Sequence, residues 1–207
     1  MFDEKHTTML LIPEGVSGVP KGQKIYPIKR HCKIKSNGDF KIRYVALGNF
    51  DDYDGVTFSP TAAKKVIWLV FAITILLNLI QRFLDVKGAF MAERPKRDIY
   101  ISLDNKIYLL KYNLYGLKDA AKVFNDGLNQ HLIDGGYTQS KWDLCLFYKW
   151  TSITTFIILV FHVDDFSASS SQDVLISHLA CFSHIGHYLV FAQSLKRPFE
   201  IHIRRDC

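Results

Sequence analysis

Two adjacent carboxylates, Asp164 and Asp165, stand just beyond a run of five apolar residues, Ile157 to Phe161. Neighbouring negative charges repel and, beside a buried strand, also lose hydration, so the pair persists either in a solvated turn or around a bound cation. If a cation holds them, a third carboxylate helps, because Mg2+ takes oxygen ligands in octahedral geometry and keeps several waters or phosphate oxygens. Asp85 is the candidate, at the start of the strand-like DVKGAF with its own apolar stretch behind it. Neighbouring strands would bring it to the pair. Three carboxylates and two dications about 3.5–4 Å apart suit phosphoryl transfer, activating a hydroxyl and neutralising a leaving pyrophosphate. Spacing alone leaves the alternatives open, since a turn between strands and an ordinary strand-end acid need no metal.

The elements that position these acids are legible in the pattern. Residues 1–24, punctuated by Pro13, Gly15, Gly18, Pro20 and Gly22, read as an irregular arm, and the fold is expected to start near Ile25. Lys33 to Phe50 reads as a hairpin with one basic face, turning at Ser36-Asn37-Gly38-Asp39. A helix is expected over 62–80, capped by Ser59 or Thr61. A strand over 83–90 carries Asp85. Residues 98–102 and 106–110 form a hairpin about Asp104-Asn105, and a helix over 118–133 stops at Gly135-Gly136. Strands at 144–150 and 154–163 put the paired aspartates at the far end of the second. A helix near 172–182 and a strand near 199–203 close the chain. This mixed order predicts an α+β domain with an antiparallel sheet.

The 207 residues are 48% apolar and 22% charged, a globular composition with enough chain for one substantial core. A formal net charge of +6 biases encounters toward polyanions such as nucleic acid. Cys32, Cys145, Cys181 and Cys207 lack CxxC spacing and read as reduced thiols of an intracellular protein. Cys181, His184 and His187 form a C-x2-H-x2-H cluster with no second ligand pair, which argues against structural zinc. The N-terminal MFDEKHTTMLLIPEG is not a secretory signal. Val66 to Ile80 is almost wholly apolar, but its length suits a core helix better than a membrane span, which needs roughly 20 residues.

Eight strings in one order carry a resemblance: KIRYVALGNF, DDYDGVTFSPTA, LDVKGAF, DIYI, NLYGLKDAAKVF, GYTQSKWDLCLF, LVFHVDDF and FEIHIRRD. Together, over residues 25–206, they resemble the reverse transcriptase of Ty1/copia-type retrotransposons. The resemblance implies a fingers-palm polymerase fold with an antiparallel palm sheet packed on helices, lacking thumb and RNase H. Asp85, Asp164 and Asp165 would be the catalytic, metal-holding carboxylates, with Mg2+ as cofactor and Mn2+ able to substitute. Partners would be an RNA or DNA template with a DNA primer, and deoxynucleoside triphosphates. No membrane is implied, and the location would be cytoplasmic, in a virus-like particle for an intact element.

Further positions carry over. Lys41 and Arg43 match the basic positions of the fingers hairpin that clamp triphosphate. Phe90 stands where the family places a ring under the incoming sugar, excluding a 2′-hydroxyl, though core packing would also explain it. Tyr115, Gly116 and Lys118 match the YGLK turn near the nucleotide, where glycine permits close backbone approach. Arg204 and Arg205 are candidates for phosphate contacts. The chain departs from the pattern at His162, where YVDD has tyrosine, at Leu47, where a second basic residue is usual, and at Asp119, where a neutral amide is usual. Asp119 is expected to weaken nucleic-acid binding by repulsion. These departures motivate an alternative, a catalytically dead nucleic-acid-binding remnant.

Overall fold

The computed structural model describes residues 9–12, 19–34, 36, 38, 40–86, 88–163, 165–172 and 189–195, with backbone alone for 9–12, 40, 41, 85 and 189–195. In chain order the strands are β1 (Met9–Ile12), β2 (Ile25–Ile34), β3 (Phe40–Ala46), β4 (Ile80–Val86), β5 (Tyr100–Leu103), β6 (Lys106–Leu110), β7 (Thr138–Gln139), β8 (Leu146–Trp150), β9 (Phe156–His162), β10 (Asp165–Ser170) and β11 (Leu189–Leu195). The helices are α1 (Lys64–Leu76) and α2 (Ala120–Asp134). The chain is α+β and divides into two compact units, each built from two segments: Met1–Ser59 with Gly88–Gly127, and Pro60–Lys87 with Leu128–Cys207.

The first unit holds a five-stranded sheet in the order β1-β6-β5-β2-β3. All its neighbours are antiparallel except β2 and β5, which run parallel through Ile25–Pro27. Met9–Ile12 pairs with β6, so the stretch read as an irregular arm contains a strand. Asp104 and Asn105 join β5 to β6 at φ 49° and 60°, the double left-handed geometry of a type I′ turn that asparagine and aspartate tolerate. Buried Tyr26, Ile99, Ile101, Leu110, Leu114 and Leu117 form the core of this unit.

The second unit holds a wholly antiparallel six-stranded sheet, β11-β4-β10-β9-β8-β7. Phe147 stacks on Phe161 at 5.9 Å, and Phe161 tilts against Phe166 at 5.5 Å. The strand β10, DFSASS, was not legible: serine and alanine have weak strand preference, and only burial between β4 and β9 makes the segment extended. The helix expected at 172–182 and the strand expected at 199–203 lie outside the described residues.

The helix expected over 62–80 is shorter, and neither Ser59 nor Thr61 caps it. Ala63 occupies the cap position, and its N–H donates to the Asp143 Oδ2 at 2.9 Å, while Asp143 Oδ1 accepts from the N–H of Cys145 at 2.8 Å. A buried carboxylate 80 residues distant thus satisfies a free N–H and places negative charge at the positive end of the helix dipole. Asn78 at φ 50° ends α1, with the Leu79 N–H donating to Thr74 O at 2.8 Å, so residues 77–80 leave the helix. Only Val70 and Thr74 of α1 are buried, whereas Trp68 is 70% and Leu76 81% exposed, so the expected core helix is covered on one face alone. No helix among the described residues is long and apolar enough to cross a membrane.

Beyond β4, Gly88 at φ 65° turns the chain into a 3-10 turn over Ala89–Ala92. Phe90, expected at a strand end, sits in that turn.

Asp143→Ala is expected to lower the urea stability by about 1–2 kcal/mol, the usual cost of a lost helix cap. Cys145, fully buried, has its thiol pushed up to about 12 by burial and then by the Asp143 charge. In the folded protein it is expected to resist maleimide that labels exposed Cys32, and to react on unfolding.

Candidate active site

Strand β10 lies between β4 and β9, and its register fixes what stands near Asp165. Asp85 is its partner across β4, and His162 is its partner across β9. Three residues able to bind a cation therefore occupy one row across three adjacent strands. His162 and Asp165 are both exposed and line one pocket of about 140 Å3, whose other lining residues include Ile67, Phe71, Phe83 and Val160. Along the same strand, Ser167 Oγ accepts from Gln81 Nε2 at 3.0 Å, and Ser169 Oγ bonds Thr74 Oγ1 of α1 at 2.7 Å.

Val163 and Asp164 are the two residues joining β9 to β10. Val163 has φ 62°, a left-handed conformation that a β-branched residue adopts only under constraint. Asp164 and the side chain of Asp85 lie outside the described residues. Among those described, no group of three His, Cys, Asp or Glu side chains is gathered to hold a metal ion. The Cys181, His184 and His187 cluster and Arg204 and Arg205 also fall outside the described residues.

The remaining candidates lie in the first unit. Lys41 and Arg43 are on β3, where Arg43 is exposed and stands opposite His31, and Lys41 opposite Lys33. Phe90 packs against the core of the unit and meets the Tyr115 ring edge-on at 5.0 Å. Tyr115 O accepts from the Ala46 N–H at 2.7 Å, and Gly116, at φ 92°, lies so close to the Ala46 carbonyl that a Cβ there would collide with it. The glycine's close approach is thus to β3. Lys118 is exposed, and its backbone N–H donates to Asp51 Oδ2 at 3.2 Å.

Sequence reasoning missed the group that organises this turn. Arg97 Nη2 donates to both oxygens of Asp51, at 2.7 and 2.9 Å, and to Asp119 Oδ1 at 3.4 Å, while Arg97 Nη1 donates to the Tyr26 hydroxyl at 3.3 Å. The guanidinium also lies over the Tyr53 ring at 4.9 Å. Asp51 and Asp119 are each 2% exposed. Asp119 therefore does not present the repelling charge expected from sequence; it is buried and paired. Burial pushes the Asp51 carboxyl up, but the Arg97 hydrogen bond, the N–H groups of Lys118 and Tyr53 and the Arg97 charge outweigh it and hold the carboxyl below its usual range. Asp51 opens the DDYDGVTFSPTA string, yet nothing in the spacing announces a partner 46 residues on.

The profile of the family described as "Reverse transcriptase (RNA-dependent DNA polymerase)" matches residues 8–182, so the chain belongs to that family. The match begins inside the stretch read as an arm. Among its relatives are the retrovirus-related Pol polyprotein from transposon TNT 1-94 of Nicotiana tabacum, 28% identical over 178 residues, and that from transposon RE2 of Arabidopsis thaliana, 28% identical over 162. These cover 78% and 70% of this chain, which spans 13% and 11% of the two polyproteins. The crystal structure of prototype foamy virus protease-reverse transcriptase is similar with a TM-score of 0.38 and 11% identity, over 81% of this chain and 20% of that one.

Arg97→Met leaves two buried carboxylates unpaired and is expected to cost about 3–5 kcal/mol in urea unfolding. Because the folded pKa of Asp51 lies below the unfolded value of about 3.9, its contribution is full above that value and is lost as pH falls through the folded one. Urea midpoints measured from pH 7 to pH 3 are expected to fall below about pH 4, and less steeply in Asp51→Asn.

Proposed function

We propose that this chain is the RNA-directed DNA polymerase domain of a copia-type retrotransposon, adding deoxynucleotides to a primer 3′-hydroxyl, with Asp85, Asp164 and Asp165 as its metal-holding carboxylates. The observation that carries this reading is the register of β4 and β10, which opposes Asp85 to Asp165 across one antiparallel ladder. Residues so opposed have Cβ atoms about 4.5–5.5 Å apart, a spacing at which two carboxylates can share one ion. Asp164, next along the chain, adds a third acid. This all-oxygen donor set fits a hard dication. When bound, Mg2+, or Mn2+ in its place, would supply charge neutralisation for the triphosphate and activation of the primer hydroxyl.

The chain's own residues divide the remaining work. The second unit is the palm, whose sheet holds the acids at a hairpin tip and an adjacent strand. The first unit is the fingers, where Lys41, Arg43 and Lys118 would meet the triphosphate, and where Phe90, held edge-on by Tyr115, would exclude a 2′-hydroxyl. Gly116 would hold the Tyr115 turn against the fingers hairpin. Template, primer and deoxynucleoside triphosphates are the partners, and the setting is intracellular. His162 in place of tyrosine favours a second reading, a remnant that binds nucleic acid without extending it.

Primer extension on an RNA template with an annealed DNA primer, in Mg2+ and in Mn2+, tests the two readings against each other. Incorporation is expected in the native chain and is abolished in Asp164→Asn; equal incorporation by both would refute the carboxylate assignment. No incorporation by either, with salt-sensitive binding to the RNA–DNA hybrid, would select the remnant.

A further inference from the structure

We propose that the first unit carries a further binding pocket, separate from the residues read as meeting the triphosphate, and that its ligand is a nucleotide held by its phosphate. Two backbone bonds build it. The Leu110 N–H donates to Ile99 O and the Asn113 N–H to Glu93 O, each at 2.9 Å. Between these ties the chain runs through residues 94–98 on one side but only 111 and 112 on the other, so the longer side bows outward. The space enclosed is an open pocket of about 350 Å3, within the range of small-ligand sites, lined by Arg94, Asp98, Lys111 and Tyr112 together with apolar Pro95 and Leu109. The bowed side is anchored from outside: Gln23 Nε2 donates to Asp98 O at 3.2 Å, Lys96 pairs with Asp126 at 3.1 Å, and Arg97 holds Asp51. The pocket is therefore preformed.

The lining decides the chemistry. Arg97 also borders the pocket, but its charge is already shared by Asp51 and Asp119. Arg94 and Lys111 are exposed, and neither has a hydrogen-bond or ion-pair partner among the described residues. These two cations and the Tyr112 hydroxyl suit a phosphate, to which guanidinium and ammonium groups make charge-assisted hydrogen bonds. Asp98 argues against a bare anion. Its carboxylate is exposed, has no partner among the described residues and can only accept hydrogen bonds, so it favours a ligand that brings donors as well as a phosphate. A nucleotide brings both, with sugar hydroxyls or base N–H groups for Asp98. None of these four residues is among those read as catalytic or triphosphate-binding, so the pocket stands independently of that reading.

Adenosine 5′-monophosphate and inorganic phosphate are the probes, titrated calorimetrically into the full chain in metal-free buffer, so that no dication bridges them to Asp85, Asp164 or Asp165. The nucleotide is expected to bind more tightly than inorganic phosphate, and Arg94→Gln combined with Lys111→Gln to weaken it about tenfold or more. Asp98→Ala is expected to tighten inorganic phosphate, by removing a repelling charge, and to loosen the nucleotide, by removing an acceptor. A single-stranded oligoribonucleotide without terminal phosphates identifies the source: if it displaces the monophosphate from native protein the pocket takes a nucleotide within a strand, and if it does not the pocket takes a free one. If Asp98→Ala tightens both probes, the site takes plain anions and the nucleotide assignment is overturned. Nucleotide binding that is absent, that is unchanged by the Arg94 and Lys111 substitutions, or that is lost only with Lys41→Gln and Arg43→Gln would overturn the pocket itself.

Discussion

Everything proposed for the second unit depends on the register of one short strand. In β10 the residues Asp165, Ser167 and Ser169 alternate along one face, and both serines have polar partners: Gln81 for Ser167, and Thr74 of α1 for Ser169. All four of these polar groups are buried. A slip by one residue would turn the serines to the opposite face and take them away from Gln81 and from Thr74, which would keep only its bond to the Val70 carbonyl; a buried group left unsatisfied costs roughly 1–3 kcal/mol. The same slip would pull Phe166 away from Phe161. Two hydroxyl contacts and one aromatic contact thus fix the depth at which an acid emerges from beside α1.

The first unit solves a different problem with charge. Its YGLK turn is tied to β3 through the Ala46 N–H to Tyr115 O bond, while Lys118 stays exposed beyond it. A single guanidinium, Arg97, ties Asp51 to Asp119, and Asp51 in turn receives the Lys118 N–H. Two carboxylates against one cation would leave a surplus negative charge, which the Tyr26 hydroxyl and the Tyr53 and Lys118 N–H groups help to solvate. Such a cluster contributes little net stability over an apolar replacement, but it penalises any arrangement that separates its members. The acid at 119, which by sequence alone looked like an injury to nucleic-acid binding, belongs to this framework.

The sequence revealed most where the signal was local. Asp104-Asn105 announced its hairpin because few residues other than glycine tolerate two successive left-handed conformations, and Gly135-Gly136 announced the end of α2. It revealed least where a partner lies far along the chain. Ser59 and Thr61 looked like caps for α1, but the group that serves is Asp143. Asn78 ends α1 earlier than its apolar run suggests, since hydrophobicity continues from the helix straight into β4. DFSASS has turn-like composition and becomes a strand only because two neighbours enclose it. The acids were legible as a pair with a distant third, whereas their row with His162 needed the register of both ladders.

The order in which these partners are made has its own consequence. Two anchors of α1, Asp143 and Ser169, lie 80 and 95 residues beyond the groups they bond. At about 5–20 residues per second of synthesis, α1 and β4 wait roughly 4–19 seconds after emerging before these anchors have been translated. During that interval the first unit's second segment is completed, while the apolar face of α1 and both edges of β4 have no partner. The vulnerable period of this fold is therefore set by the ribosome.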